Sequence, residues 1–600
     1  CLVGTWAAQA ADSYTFIDRL GLTGGDYTGP GGIESSRLLR LNSAGFAAGV
    51  SDRYVGVRDV AADGRNEQAG WLRNVGRSVI RVGFHDAVHT RDDGRQETYV
   101  LDLNLGGVTV GYSRRFKDHA YRGTTAWVED RWGNIVRIGY YDAAHTWPDG
   151  SKLSRPVDLD NRNRLVGYSQ ADPGDTRSTA WLATSTGRIQ RIGFTDAAHT
   201  APDGRQHSRP VAMNDAGYVV GLSMFHPDTS DDKEGDYSPS GNTAWVRTPG
   251  GAMLMIGDTA VSKHDNGITL LTESGYIAGW SNRFTYTLSG RVTWLARVDG
   301  TTVPVGIADG YLYRDILYGP WVDIVDLNEA GVCVGESHQF PTRYERDNGG
   351  TGTWMADFTG RTVLVGLYDC EHTTWMEDPT EPGTFIEGEH QENHALGVNE
   401  QDAAIGYALR FDPATNSTTA GRGGASAWVA TLAGETTRLG LTDAAHTRAD
   451  GYRYSIPRGI TASKYVWGHS ERYEGGMEVL GRTSWIYDRQ AGTYTILDLS
   501  DSSINRRWAV DITEVEEDTG RVFGNYHNGD GRGYRTFTYM IGGAFVDLDS
   551  LVVVGDPAAD GLDRFASASQ ATPNGYVAGR ATRTSGLPGA AVYLVKRRAD

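Results

Sequence analysis

The sequence predicts an all-β fold: a single large β-propeller of about ten four-stranded blades, closed by pairing of its N- and C-terminal strands. Three observations predict it. Glycine is very frequent, at 78 of 600 residues, and tyrosine and tryptophan follow at 30 and 16, a composition that suits many short strands joined by tight turns. One pattern of four short apolar runs returns along the chain. Two ladders of marker residues, one of glycines and one of aromatics, count those returns independently and agree at ten.

One repeat can be followed over residues 208–257. SRPVAMNDAG is a strand ending in a turn, and YVVGLS is a second strand. The polar stretch SMFHPDTSDDKEGDYSPSG follows, then NTAWVRTPGG as a third strand with its turn, and AMLMIG as a fourth. The second-strand glycine falls at Gly49, Gly111, Gly167, Gly221, Gly279, Gly335, Gly406, Gly468, Gly524 and Gly579. The third-strand aromatic falls at Trp71, Trp127, Trp181, Trp245, Trp294, Trp354, Trp428, Trp485, Tyr539 and Tyr593. A four-stranded sheet cannot bury both faces alone, whereas stacked sheets supply each other with neighbours, and large rings fill the space between them. SYTFIDRLG near the start reads as a fourth strand, and GAAVYLVKR near the end reads as a third. The early strand therefore supplies the outer strand of the last blade and removes an exposed edge. Propellers typically carry roughly four to eight blades, so a smaller ring with some repeats as decoration is the alternative.

The propeller is assigned to 12–600. The opening CLVGTWAAQA, with AQA before Ala11 and Asp12, reads as the tail of a signal peptide over 1–11, which predicts a secreted or periplasmic protein. No run is long and apolar enough to predict a membrane span. The three cysteines make neither a disulfide scaffold nor a CxxC metal knuckle. A formal net charge of -18 argues against nucleic acid as a partner. A monomer is expected.

Successive turns of a meander alternate between two ends of the sheet. The short turns NDAG, NEAG, NSAG, TSTG and TLAG share one end, and the long, variable connections share the other, where binding and catalysis usually sit. One such connection is repeated: HDAVHTRDDG at 85–94, YDAAHTWPDG at 141–150, TDAAHTAPDG at 195–204 and TDAAHTRADG at 442–451. An altered copy, YDCEHTTWMED, lies at 368–378. The structural reading is a rigid crossing, with Asp and Thr bonding backbone amides and Asp-Gly making a tight turn. The functional reading is that one or two copies were recruited, with a histidine such as His199 or His446 reaching a ligand. Metal binding by Asp and His is a third reading.

Arginine beside an aromatic recurs at the end of the second strand, in VSDRY, YSRRF, WSNRF, YALRF and HSERY. Stacking between blades is the structural reading. Converging arginines that hold an anion are the functional one, which selects Arg115, Arg283 and Arg472. The insertion after 368 adds His372, Trp375, Glu389, His390 and His394. His372, Glu389 and His390 are candidate ligands for a structural Ca or Zn ion, and Trp375 could stack on a sugar. His394, His446, Tyr454 and His527 are candidate proton-transfer residues. Such a histidine, tyrosine and arginine set suits β-elimination at a uronic acid: a cation neutralises the carboxylate while a neutral His or Tyr removes the C5 proton.

The repeated unit, with A-W in the third strand and N-x-x-G-x-V-x-G-x-S across the first turn, resembles the extracellular repeats named for a His-Ala-Phe signature. Here that position reads Thr179-Ala180-Trp181. The architecture and the His/Tyr/Arg set also resemble propeller-fold polysaccharide lyases, such as those degrading ulvan. The resemblance implies a secreted lyase acting on an anionic polysaccharide. A glycoside hydrolase and a non-catalytic carbohydrate- or protein-binding propeller are the alternatives.

Overall fold

A computed structural model describes residues 13–54, 67–76, 78–173, 177–226, 241–257, 265–284, 289–307, 321–338, 350–377, 385–411, 423–497, 508–527, 534–583 and 590–598; at 283–284, 289–290, 374–377, 385–390 and 508 it describes the backbone alone. The signal-peptide assignment at 1–11 and most of the long connection after Phe225 lie outside the described residues. The fold is all-β and propeller-like, built from four-stranded meanders. Where the sequence predicts one domain over 12–600, the chain forms two compact units. One comprises Cys1–Tyr121, Val128–Ile135 and Asp511–Asp600, the other Arg122–Trp127 and Val136–Val510. Among the described residues no helix is long and apolar enough to cross a membrane.

The second unit holds six complete meanders, spanning 152–192, 208–256, 265–305, 322–365, 385–439 and 453–497, hereafter repeats 3 to 8. Repeat 4 shows the pattern: strands Ser208–Met213, Val219–Phe225, Gly241–Arg247 and Met253–Ile256 pair in chain order. Pro210 lies opposite Gly221, which lies opposite Trp245. The tryptophan ring covers the glycine: a Cβ on Gly221 would sit 2.3 Å from the ring and 2.5 Å from the Arg209 carbonyl. That close approach is why the marker residues are Gly and Trp together. The same ring packs against the preceding repeat. Trp245 meets Val166, Ala180 and Ile192 of repeat 3, and Trp428 meets Val334, Met355 and Val365 of repeat 6.

The first unit contains repeat 1 over 36–82 and repeat 10, made of Leu562–Ala571, Tyr576–Arg583 and Ala591–Arg597. Repeat 10 takes its fourth strand from Tyr14–Leu20, which runs antiparallel to Ala591–Arg597 as the sequence predicts. Beyond it lies a short parallel neighbour, Val552–Val554, that the sequence reading did not anticipate. The strand sets over 98–138 and 508–547, repeats 2 and 9, are divided between the two units. Ten sets are therefore found among the described residues. One marker needs correction: Gly524 lies opposite Phe537, not Tyr539, and a Cβ there would approach the Phe537 ring to 2.6 Å.

Candidate functional site

The repeated connection is built from its aspartate. Asp142, Asp196 and Asp443 each cap a single 3-10 turn, and their carboxylates accept hydrogen bonds from amides of that turn. The same carboxylates accept from the histidine Nδ1, at 2.7 Å for His145, 2.6 Å for His199 and 2.7 Å for His446. On the other side of each ring, Nε2 is bonded to a third-strand threonine at 2.9 Å: Thr179, Thr243 and Thr483 respectively. Burial pushes the Asp142 and Asp443 carboxyls up. The bonds from the histidine ring and the turn amides overcome that and hold them below the usual range. The motif threonine folds back on the aspartate carbonyl, as Thr200 does at 2.8 Å. The closing Asp-Gly turn places Gly204 at φ 79, the left-handed region that favours glycine.

This brace continues into the sheet. The aromatic residue after the preceding Gly stacks on the motif histidine, with centroids 5.0 Å apart for Tyr140 and His145 and 4.8 Å for Phe194 and His199. The Tyr140 and Phe194 amides donate to the second-strand Ser169 and Ser223, which also accept from Trp181 and Trp245 Nε1. In the copies at 141–150 and 195–204 the aspartate–histidine–threonine bonds and the serine–tryptophan bond are thus joined through this ring stacking, and His199 and His446 are 3% and 6% exposed. As ligand-reaching groups they are corrected: both ring nitrogens serve the fold.

Among the other candidates, His394 and Tyr454 both interact with Tyr407. His394 lies in repeat 7, 3.5 Å from Glu336 of repeat 6 and 3.3 Å from Glu392, and packs against Tyr407. Hydrogen bonding to Glu336 and Glu392 outweighs burial and raises its pKa to about 9. This makes it a cationic bridge between repeats, poorly suited to act as the neutral base that elimination requires. Tyr454 begins the first strand of repeat 8, where it is paired with Ala425. His527 belongs to the first unit, with its ring edge-on to Tyr534 at 5.3 Å. Arg472 is engaged by Glu474 at 2.6 Å. Arg115 lies on Thr109–Lys117, but Arg114 beside it does the stacking, over Tyr99 and Tyr121, while bonding Glu97 at 2.9 Å. The side chains of Arg283, Trp375, Glu389 and His390 lie outside the described residues. Glu389, His390 and His394 share one strand, Phe385–Val398. Among the described residues no group of three His, Cys, Asp or Glu could hold a metal ion. His372 is fully buried with Nδ1 2.5 Å from Asp369, and among the described residues its Nε2 has no hydrogen-bond partner where Ser426 replaces the usual threonine.

One cluster was missed by sequence reasoning. Glu371, in the altered copy, meets Arg438 at 2.6 Å, Arg410 at 3.4 Å and Arg453 at 3.7 Å. Burial acts to raise the Glu371 pKa, but the Arg438 bond and the charges of all three arginines hold it below the usual carboxylate range. The signal that could have found it was the Glu of DCEHT, standing where the other copies have Ala or Val.

No family model and no curated protein matches the chain. Among solved structures it is similar to the β-propeller domain of the Trilobed protease from Pyrococcus furiosus, at 10% identity and a TM-score of 0.25 over 67% of this chain and 96% of that one. It is also similar to Porphyromonas gingivalis dipeptidyl peptidase 4, at 8% identity and a TM-score of 0.37 over 82% of this chain and 64% of that one. Puromycin hydrolase follows at 12% identity and a TM-score of 0.27, over 73% of this chain and 59% of that one. The chain thus spans about three-fifths of the length of these last two enzymes. These neighbours are peptidases or hydrolases, not polysaccharide lyases. The lyase expectation is withdrawn, since the likeness shows a propeller-like fold alone, and the resemblance to His-Ala-Phe repeats stays at the level of motif.

Proposed function

We propose that the described repeats serve non-covalent recognition, as a rigid β frame presenting its variable connections to a partner. The observation that supports this reading is the double anchoring of the motif histidines. In His145, His199 and His446 the groups best suited to proton transfer are fixed between an aspartate and a threonine. Equivalent braces recur from repeat to repeat, as a frame needs and a single reaction centre does not.

The test compares His199→Ala and His446→Ala with the unaltered protein for thermal stability and for turnover of a panel of peptide, ester and glycan substrates. Both variants should lose stability, by roughly 1–3 kcal/mol each from buried partners left unpaired. A turnover that disappears in either variant while its melting temperature stays unchanged would overturn the reading.

A further inference from the structure

We propose that Arg410, Arg438 and Arg453 form a binding site for a small, doubly charged oxyanion of the phosphate or sulfate class. The proposal rests on a comparison within the chain and is independent of the recognition reading.

Repeats 1 and 7 place equivalent residues at the end of the second strand. Arg53 lies four residues after Gly49, and Arg410 four residues after Gly406. Each sends Nη1 to the carbonyl of the next Asp-Gly turn, Arg53 to Gly94 at 2.6 Å and Arg410 to Gly451 at 3.2 Å. The following amide, of Tyr54 or Phe411, donates to the carbonyl of an acidic residue, Asp26 at 2.8 Å or Glu371 at 3.0 Å. Both acidic side chains then meet the arginine. Fourth-strand arginines also correspond, Arg81 opposite Trp71 and Arg438 opposite Trp428.

The two sites part at three positions, one of them being Tyr452 where repeat 1 has Arg95. Opposite Arg53 stands Glu67, whose carboxylate is 3.2 Å away, but opposite Arg410 stands Gly424. Arg81 is bonded to the neutral Gln96, and Arg191 to Gln206 in the equivalent place before repeat 4. Before repeat 8 that position is Arg453. Around repeat 1, Arg53, Arg81 and Arg95 share the two carboxylates Asp26 and Glu67. Around repeat 7, three arginines share Glu371 as their one carboxylate among the described residues. The brace needs none of these changes, because repeat 1 builds the same brace without them. Among the described residues this leaves an excess of two positive charges around Glu371, one more than around repeat 1.

The site is shaped for an oxyanion. Arg410 is 6% exposed, and its guanidinium is held by the Gly423 and Gly451 carbonyls, so its orientation is set beforehand. Arg438, Arg453 and Glu371 are 30%, 25% and 34% exposed, so a ligand can reach them. Guanidinium groups match phosphate and sulfate oxygens in bidentate fashion. The Glu371 carboxylate already bonds Arg438 as a ligand oxygen would. A dianion beside it completes charge balance, whereas a halide or monocarboxylate leaves one charge over.

The test is calorimetric titration of the full chain with inorganic phosphate, and separately with sulfate, at pH 8 and low ionic strength. One saturable site is expected. Arg453→Gln, which restores the residue found at two equivalent positions, should weaken binding at least tenfold at an unchanged melting temperature. Glu371→Gln removes the resident carboxylate and should strengthen binding several-fold. Tighter binding of phosphate assigns the site to phosphate groups, and tighter binding of sulfate assigns it to sulfate groups. The proposal fails if neither the unaltered protein nor Glu371→Gln binds either ion, if Arg453→Gln binds as well as the parent, or if chloride competes as strongly as the dianions.

Discussion

Glu336 and Glu392 flank His394 from two sides, and this arrangement has a definite pH signature. The folded-state pKa is raised to about 9 from the ordinary histidine value of 6.5. A raised pKa means that the folded protein keeps a proton the unfolded chain has lost. The contribution to stability is therefore complete below about pH 6.5 and disappears as pH rises through about 9. Glu336→Gln keeps an acceptor for the Ala395 amide, which Glu336 binds at 2.9 Å, but removes the charge. It should cost on the order of 1 kcal/mol at pH 6, after allowance for solvent screening, and almost nothing at pH 10. Thermal melts of both proteins at the two pH values check this, and an equal loss at both would show that the bridge is not ionic. The sequence made the motif residues visible because they recur within ten residues of one another. Their partners did not show. Thr243 is 44 residues from His199, and Glu336 is 59 residues from the Ala395 amide it holds. Only folding brings such pairs together, so whether a histidine is free or anchored could not be read from its own segment.

Within one repeat, the second-strand glycine and the third-strand tryptophan form a single device. A Cβ on Gly406 would lie 2.1 Å from the His394 carbonyl and 2.2 Å from the Trp428 ring. Neither backbone nor buried indole can easily yield, so Gly406→Ala should destabilise by roughly 1–3 kcal/mol through overpacking. Trp428→Ala opens the converse defect, a cavity against Val334, Met355 and Val365, and should cost about 3–5 kcal/mol. Denaturant midpoints would measure both, and a loss below about 0.5 kcal/mol in either case would mean that the interface between repeats 6 and 7 is looser than its contacts indicate. The device was legible because both members are chemically rare at their positions. It was misread only in repeat 9. Phe537 and Tyr539 are two residues apart on one strand, so they face the same side, and the variable connection before them gives spacing no power to choose. Pairing with Gly524 selects Phe537.

At the scale of the molecule, the strand Tyr14–Leu20 joins the two ends of the chain inside the first unit. Tyr14 and Leu20 are fully buried, and Phe16 packs with Phe565 and Tyr593 in a common cluster. Each large apolar side chain withdrawn from water contributes roughly 1.5–3 kcal/mol, and the backbone pairing protects Ala591–Arg597 from becoming a free edge. The sequence revealed this strand because a spare fourth strand precedes the first complete repeat and the last repeat stops at its third. Val552–Val554 escaped notice because three residues carry no periodicity. Deleting residues 13–20 should therefore lower the melting temperature and also do what a cavity alone would not: increase self-association, through the uncovered strand. Light scattering across a concentration series separates these effects. Adding the excised segment as a peptide should reverse the association, since it offers the missing hydrogen-bond partners. If the shortened protein neither loses stability nor associates, the end-to-end pairing is not what holds the last repeat together, and Val552–Val554 or the hydrophobic cluster itself must suffice.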